Sequence, residues 1–288
     1  MLHFGQEERI RRPRVIAMAE RRRQLIETET SAIETLDIGA GQAHGLLLIS
    51  HGLGSLQSME DIAEGLSARY PGRRIVAFSR PGRGTSPLTT SWTKNGLSHE
   101  ALDLLPAFMR ALGLTSVDLV AHSDGVAVAM LFACAYPWLV DRIVAISPQV
   151  HADRQFVSVT EEMIENDRCM GEMGRLCAEH KDHAMARSCW VADRRALAAN
   201  RGLVIDRLTS LAAPLLLIQG LKDEYGAHEQ MEALSDRIQG PMKWVMLRKD
   251  GHYPHHDNAE VVMDLISGHL DEPMPAKKTG FTPSRKAV

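Results

Sequence analysis

Three residues far apart in the chain have the types needed for nucleophilic acyl transfer: Ser123, Asp223 and His252. Ser123 sits in Ala121-His122-Ser123-Asp124-Gly125, where an apolar run passes straight into an alanine-rich helical pattern. A strand-to-helix turn with small flanking residues lifts the hydroxyl clear of the backbone and sets it at a helix N-terminus, where positive partial charge favours an oxyanion. It also turns the amide of the next residue, Asp124, toward the same pocket. A serine before a helix serves equally as an N-cap, so the remaining segments decide between the two. Asp223 follows the apolar run 215–218 in Gly220-Leu221-Lys222-Asp223-Glu224, and its offset from Gly220 favours it over Glu224 as the carboxylate that orients a histidine. His252, after Gly251 and the run 242–247, is the matching general base. In Ser50-His51-Gly52-Leu53-Gly54, the glycines let a backbone amide, that of Leu53, turn toward the same edge and pair with Asp124 as a second oxyanion donor. A plain tight turn would use glycines there too.

Placing such residues together requires a particular scaffold. Short apolar runs at 33–38, 45–50, 74–79, 117–122, 143–147, 214–219 and 242–247 alternate with helical periods at 59–70, 98–112, 124–135, 227–238 and 258–270. That alternation predicts an α/β fold with a mostly parallel central sheet and helices on both faces. Runs such as Leu46-Leu47-Leu48-Ile49 are apolar on both sides, as covered strands must be. The three side chains then fall at the C-terminal ends of different strands, where open parallel sheets gather their ligands. The pattern breaks between 149 and 210, which reads as an inserted helical cap within a core of 31–148 and 211–271.

The composition narrows the function classes. With 33 Lys+Arg against 36 Asp+Glu, the net charge of -3 excludes a strongly basic nucleic-acid binder. Four cysteines in 288 residues do not make a disulfide framework, and no window reaches the length of a membrane span. Residues 1–30 read as a basic extension, a solvated or frayed helix, and 272–288 as a disordered tail. A cytoplasmic protein is expected, with a homodimer left open. The 79–86 loop lacks a P-loop ending and carries no dinucleotide fingerprint. His255-His256 and the set Cys169, Cys177, His180, His183 have no metal-site spacing, so neither metal nor organic cofactor is expected.

These segments together resemble the α/β-hydrolase family over about 33–270: the His51-Gly52 turn, Pro81-Gly82-Arg83-Gly84-Thr85-Ser86, the Ser123 elbow, Gly220-Leu221-Lys222-Asp223 and Gly251-His252. The resemblance implies Ser123 as nucleophile, Asp223 as acid, His252 as base and the Leu53 and Asp124 amides as oxyanion donors. Ala121 departs from the usual first elbow glycine, and Ser79 stands where many members carry an aspartate. The expected function is cofactor-independent hydrolysis of a small or medium ester, thioester or lactone through an acyl-enzyme. A carbon–carbon bond hydrolase on the same triad and a ligand sensor on a hydrolase scaffold are the alternatives. Met163, Met170 and Trp190 are expected to line an apolar pocket in the cap, with Arg187 placed to hold a carboxylate.

Overall fold

A computed structural model describes residues 20–39, 41–88, 95–165 and 178–274. Eight strands form one sheet: β1 (Arg21–Glu27), β2 (Ala32–Ile38), β3 (His44–Ile49), β4 (Arg74–Phe78), β5 (Ser116–His122), β6 (Val140–Ile146), β7 (Leu215–Gly220) and β8 (Met242–Leu247). Their spatial order is β1-β2-β4-β3-β5-β6-β7-β8, antiparallel from β1 to β4 and parallel from β4 onward. All the predicted strands are present, each with ends within three residues of those expected.

Alternation along the strands divides the core into two. Leu47, Ile49, Leu119 and Ala121 face α2 (Gly96–His99), α3 (Leu105–Leu112) and α4 (Gly125–Ala135). Leu46, Leu48, Val120 and Val144 face α1 (Glu60–Arg69) and α9 (Ala259–Asp271). The helix predicted at 98–112 is interrupted by a π-helical stretch, Glu100–Leu104, that joins α2 to α3 and carries the fully buried Glu100. Between β6 and β7 lie α5 (Arg154–Glu165), α6 (His183–Ala199) and a 3-10 turn (Ile205–Ser210). Two further helices, α7 (His228–Ser235) and the short α8 (Pro254–Asp257), flank β8.

The N-terminal reading needs correction. Within the expected 1–30 extension, Arg21–Glu27 is a strand, paired antiparallel with β2 in the register Arg21↔Ile38 to Glu27↔Ala32. Its exposed, arginine-rich sequence has no apolar alternation to announce it, and the cations find partners across the fold. Arg21 binds Glu60 and Glu64 at the start of α1, the second at 2.7 Å. Charge of this kind is also what keeps an edge strand from pairing with another chain. Residues 1–19 and 275–288, which hold the rest of both expected terminal segments, lie outside the described residues.

Candidate active site

Ser123 occupies the turn between β5 and α4 with φ of 58°, a left-handed conformation that costs a non-glycine residue about 1–3 kcal/mol. Hydrogen bonds hold it there: its N–H donates to Ile146 O (2.9 Å), and its carbonyl accepts from the amides of Val126 (3.1 Å) and Gln149 (3.2 Å). The tight approach falls on Gly125, where a Cβ would lie 2.4 Å from Ser50 O. Ala121, inside β5 and paired with Ile49 and Ala145, needs no such freedom, so its departure from glycine is harmless.

His252 lies after β8 and its Nε2 is 2.9 Å from Ser123 Oγ, while its Nδ1 is 2.8 Å from Asp223 Oδ2. A carboxylate only accepts, so Nδ1 carries the hydrogen and Nε2 offers its lone pair to the serine hydroxyl. Asp223 also accepts from Gln219 Nε2 (2.8 Å) and the Tyr225 amide (2.9 Å). Burial disfavours its charge, but the adjacent His252 and these donors together hold its pKa below the usual carboxylate value. Glu224, the competitor, points to solvent. Gln219 escaped the sequence reading because nothing marks a polar residue at a strand end as a carboxylate partner.

Around this trio His51, Gly52, Leu53, Trp190, Arg194, Tyr225 and Tyr253 enclose a cavity of about 20 Å³, enough for about one water. A larger groove of about 680 Å³, between 82–88 and 181–185, contains none of the three side chains. The amides of Leu53 and Asp124 have no acceptor among the described residues. Of the residues expected to line a pocket, Trp190 lines the cavity, and Met163 Sδ accepts from the hydroxyl of Tyr225 at 2.9 Å. Met170 lies outside the described residues. Arg187 is not at the cavity: it donates to Ile164 O (3.0 Å), tying α6 to α5. The cation in the wall is instead Arg194, four residues after Trp190 and so on the same helical face. It is 2% exposed, donates to Gln149 Oε1 (3.0 Å), stacks on Phe156 and Tyr225, and leaves Nε without a partner.

Beneath the cavity lies a buried ionic network. Arg80 pairs with Glu100 (2.9 Å), Asp124 (3.1 Å) and Asp193 (3.4 Å), and Arg83 with Asp193 (2.6 Å), every one of these side chains being inaccessible to solvent. The Asp124 carboxylate, disfavoured by burial, is held below its ordinary pKa by Arg80, Arg194 and Arg83. Ser79, the other departure noted in the sequence, donates to Glu34 Oε2 (2.6 Å) and accepts from the Leu56 amide (2.9 Å). Glu34 thus brings from β2 the carboxylate that residue 79 lacks.

On the far side of His252 is a group of buried imidazoles. His122 packs against His51, His252 and His255 with ring centroids 4.5–5.2 Å apart. Desolvation is the largest cause of a lowered pKa at each of His51, His122 and His255, the last reaching about 3, and like-charge repulsion between the rings adds to it at all three. Folded-state pKa values depressed below 6.5 make these histidines contribute full stability above pH 6.5 and lose it as pH falls below that, for His255 down to about 3. For His255 the expected cost is about 2 kcal/mol at pH 5, and His51 and His122 act in the same direction. Urea melts should therefore show lower stability at pH 5 than at pH 7 by about 2 kcal/mol or more, with His255→Leu flattening the dependence; equal midpoints would contradict it.

Residues 46–265 match the alpha/beta hydrolase family, and the chain belongs to it. Among solved structures it resembles 2-hydroxy-6-oxo-6-phenylhexa-2,4-dienoate hydrolase from Rhodococcus sp. strain RHA1, with a TM-score of 0.74 at 14% identity over 88% of this chain and 100% of that one. A putative lipase from Acinetobacter baumannii AYE gives 0.72 at 16% identity over 88% and 92%. A haloalkane dehalogenase from Agrobacterium tumefaciens C58 gives 0.68 at 14% identity over 88% and 97%. At these identities the likeness is one of fold. No helix among the described residues is long and apolar enough to cross a membrane.

Proposed function

We propose that the protein is a cofactor-independent serine hydrolase that cleaves a small or medium ester, thioester or lactone through an acyl-enzyme. The observation that carries this reading is the series Ser123 Oγ, His252 Nε2, His252 Nδ1, Asp223 Oδ2, with successive contacts of 2.9 and 2.8 Å. His252 takes the hydroxyl proton as Ser123 attacks the carbonyl, and Asp223 stabilises the imidazolium that forms. The amides of Leu53 and Asp124 receive the developing oxyanion. His252 then protonates the leaving group, and water repeats the sequence on the acyl-enzyme. A shared intermediate gives a sharp test. With methanol as a competing nucleophile, p-nitrophenyl, phenyl and ethyl esters of one acid should yield the same ratio of methyl ester to free acid. A ratio that changes with the leaving group contradicts an acyl-enzyme.

Arg194 favours a substrate with an anionic group. A guanidinium buried in the wall of the reaction cavity, with Nε unpartnered, is placed to bind a carboxylate, and a charge-assisted hydrogen bond of this kind is worth about 1.5–3 kcal/mol. The same feature supports a second reading, carbon–carbon bond hydrolysis, because the similar Rhodococcus enzyme is named for a dienoate. Mono-p-nitrophenyl glutarate is expected to be hydrolysed faster than p-nitrophenyl butyrate. Arg194→Met should lower kcat/KM about 10- to 100-fold for the glutarate and only a few-fold for the butyrate. Equal losses on both would remove the anion-binding role, and turnover of a meta-cleavage-type dienoate in place of both esters would favour the second reading.

A further inference from the structure

The loop that supplies the Leu53 amide is held by side chains reaching it from two other segments. Gly52 O accepts from Arg83 Nε at 2.9 Å, and Leu53 O accepts from His180 Nε2 at 2.9 Å. On either side, His51 O accepts from the Gly54 amide (2.9 Å) and Gly54 O from Ser50 Oγ (3.1 Å), so four successive carbonyls are occupied. Arg83 is gripped in turn by Asp193 of α6 at 2.6 Å, and His180 precedes the same helix. Glu179 beside it accepts from the hydroxyls of Ser55 (2.7 Å) and Ser58 (3.3 Å), just beyond the loop.

A trans peptide is planar, with C=O and N–H on opposite sides, so fixing Gly52 O fixes the direction of Leu53 N–H. The Arg83 guanidinium bound to Gly52 O also polarises that peptide and strengthens its N–H as a donor. The second anchor is equally specific. Gly84 N–H donates to His180 Nδ1 at 2.9 Å, so the ring's hydrogen must be on Nε2, where it meets Leu53 O. Burial lowers the His180 pKa and keeps the ring in this neutral, two-faced form.

We infer that His180 and the Asp193–Arg83 pair are positioning residues for the oxyanion donor, so that the helical insertion which closes over Ser123 also sets the hole that stabilises the transition state. The same helix, α6, thus carries Trp190 and Arg194 in the cavity wall and Asp193 in the anchor. This rests on the acyl-enzyme reading above, whose failure is separately visible as a lack of fluorophosphonate labelling at Ser123 in the parent protein.

The test compares parent, His180→Ala, His180→Gln and Asp193→Asn on a p-nitrophenyl ester. It also measures inhibition by an alkyl boronic acid, whose tetrahedral adduct places an oxygen in the hole, and by the product carboxylate. His180→Ala is expected to lower kcat about 10- to 100-fold with KM within about 3-fold, an effect somewhat below that of deleting a donor outright. Boronate affinity should fall by the same factor as kcat, while carboxylate affinity stays within about 3-fold. His180→Gln, whose amide can both donate to Leu53 O and accept from Gly84 N–H, should recover most of the rate. Asp193→Asn, which keeps the side chain's shape, should show the same split as His180→Ala even if the alanine variant does not fold. Unchanged kcat and boronate affinity in Asp193→Asn, or equal weakening of boronate and carboxylate, would overturn the proposal while leaving Ser123 labelling intact.

Discussion

Ser123→Ala is expected to lower kcat by about 10⁴- to 10⁶-fold while leaving the fold in place. The loss is large because the series Ser123, His252, Asp223 acts as a unit: without the hydroxyl no acyl-enzyme forms, and only the oxyanion donors and binding remain to act on a water. The stability side of the same substitution is distinctive. Ser123 holds φ at 58°, and alanine would carry the same strain, whereas glycine adopts this conformation freely. Ser123→Gly should therefore be more stable than Ser123→Ala by about 1 kcal/mol, read from denaturant midpoints, although both are inactive. Residual activity within 100-fold of the parent in Ser123→Ala would contradict the nucleophile assignment.

Asp223→Asn should cost about 10⁴-fold in kcat with little change in KM. Three donors converge on the carboxylate: His252 Nδ1 and Gln219 Nε2 on Oδ2, and the Tyr225 amide on Oδ1. An asparagine has one oxygen to offer where two are needed, so at least one of the three donors meets an NH2 group. If the oxygen is kept for Tyr225 N–H, His252 must shift its hydrogen to Nε2 and can no longer accept the proton of Ser123. Because the Asp223 pKa lies below the ordinary carboxylate value, acid loss of activity should not come from this residue while ordinary carboxylates are still ionised. Loss of less than 10-fold in Asp223→Asn, under conditions where chemistry limits turnover, would mean that another group orients His252.

The elements were legible where burial imposes a pattern. The strands β3 to β7 stood out because interior strands carry apolar residues on both faces, and the turn at Ser123 stood out because Gly125 leaves room for the close approach of Ser50 O. What the sequence concealed has one physical character: polar side chains whose meaning comes from partners distant in the chain. The strand Arg21–Glu27 is legible only once Glu60 and Glu64 of α1 are seen opposite its arginines. Arg187 and Arg194 are equivalent in sequence, both within one turn of Trp190, yet one binds an α5 carbonyl and the other faces the cavity. His180 looked like part of an irregular Cys/His set, and its two ring nitrogens instead join the 82–88 loop to the loop after β3. The carboxylate missing at residue 79 is restored from Glu34, 45 positions away.

The most direct measurement is covalent labelling with a fluorophosphonate, followed by peptide mapping, because it reports an activated serine without reference to a substrate. The arrangement of Ser123 against His252 predicts a single adduct per chain on the peptide containing Ser123, absent in Ser123→Ala and strongly slowed in His252→Gln. A folded parent protein that hydrolyses esters yet takes no label at Ser123, or takes it on another serine, would contradict the account.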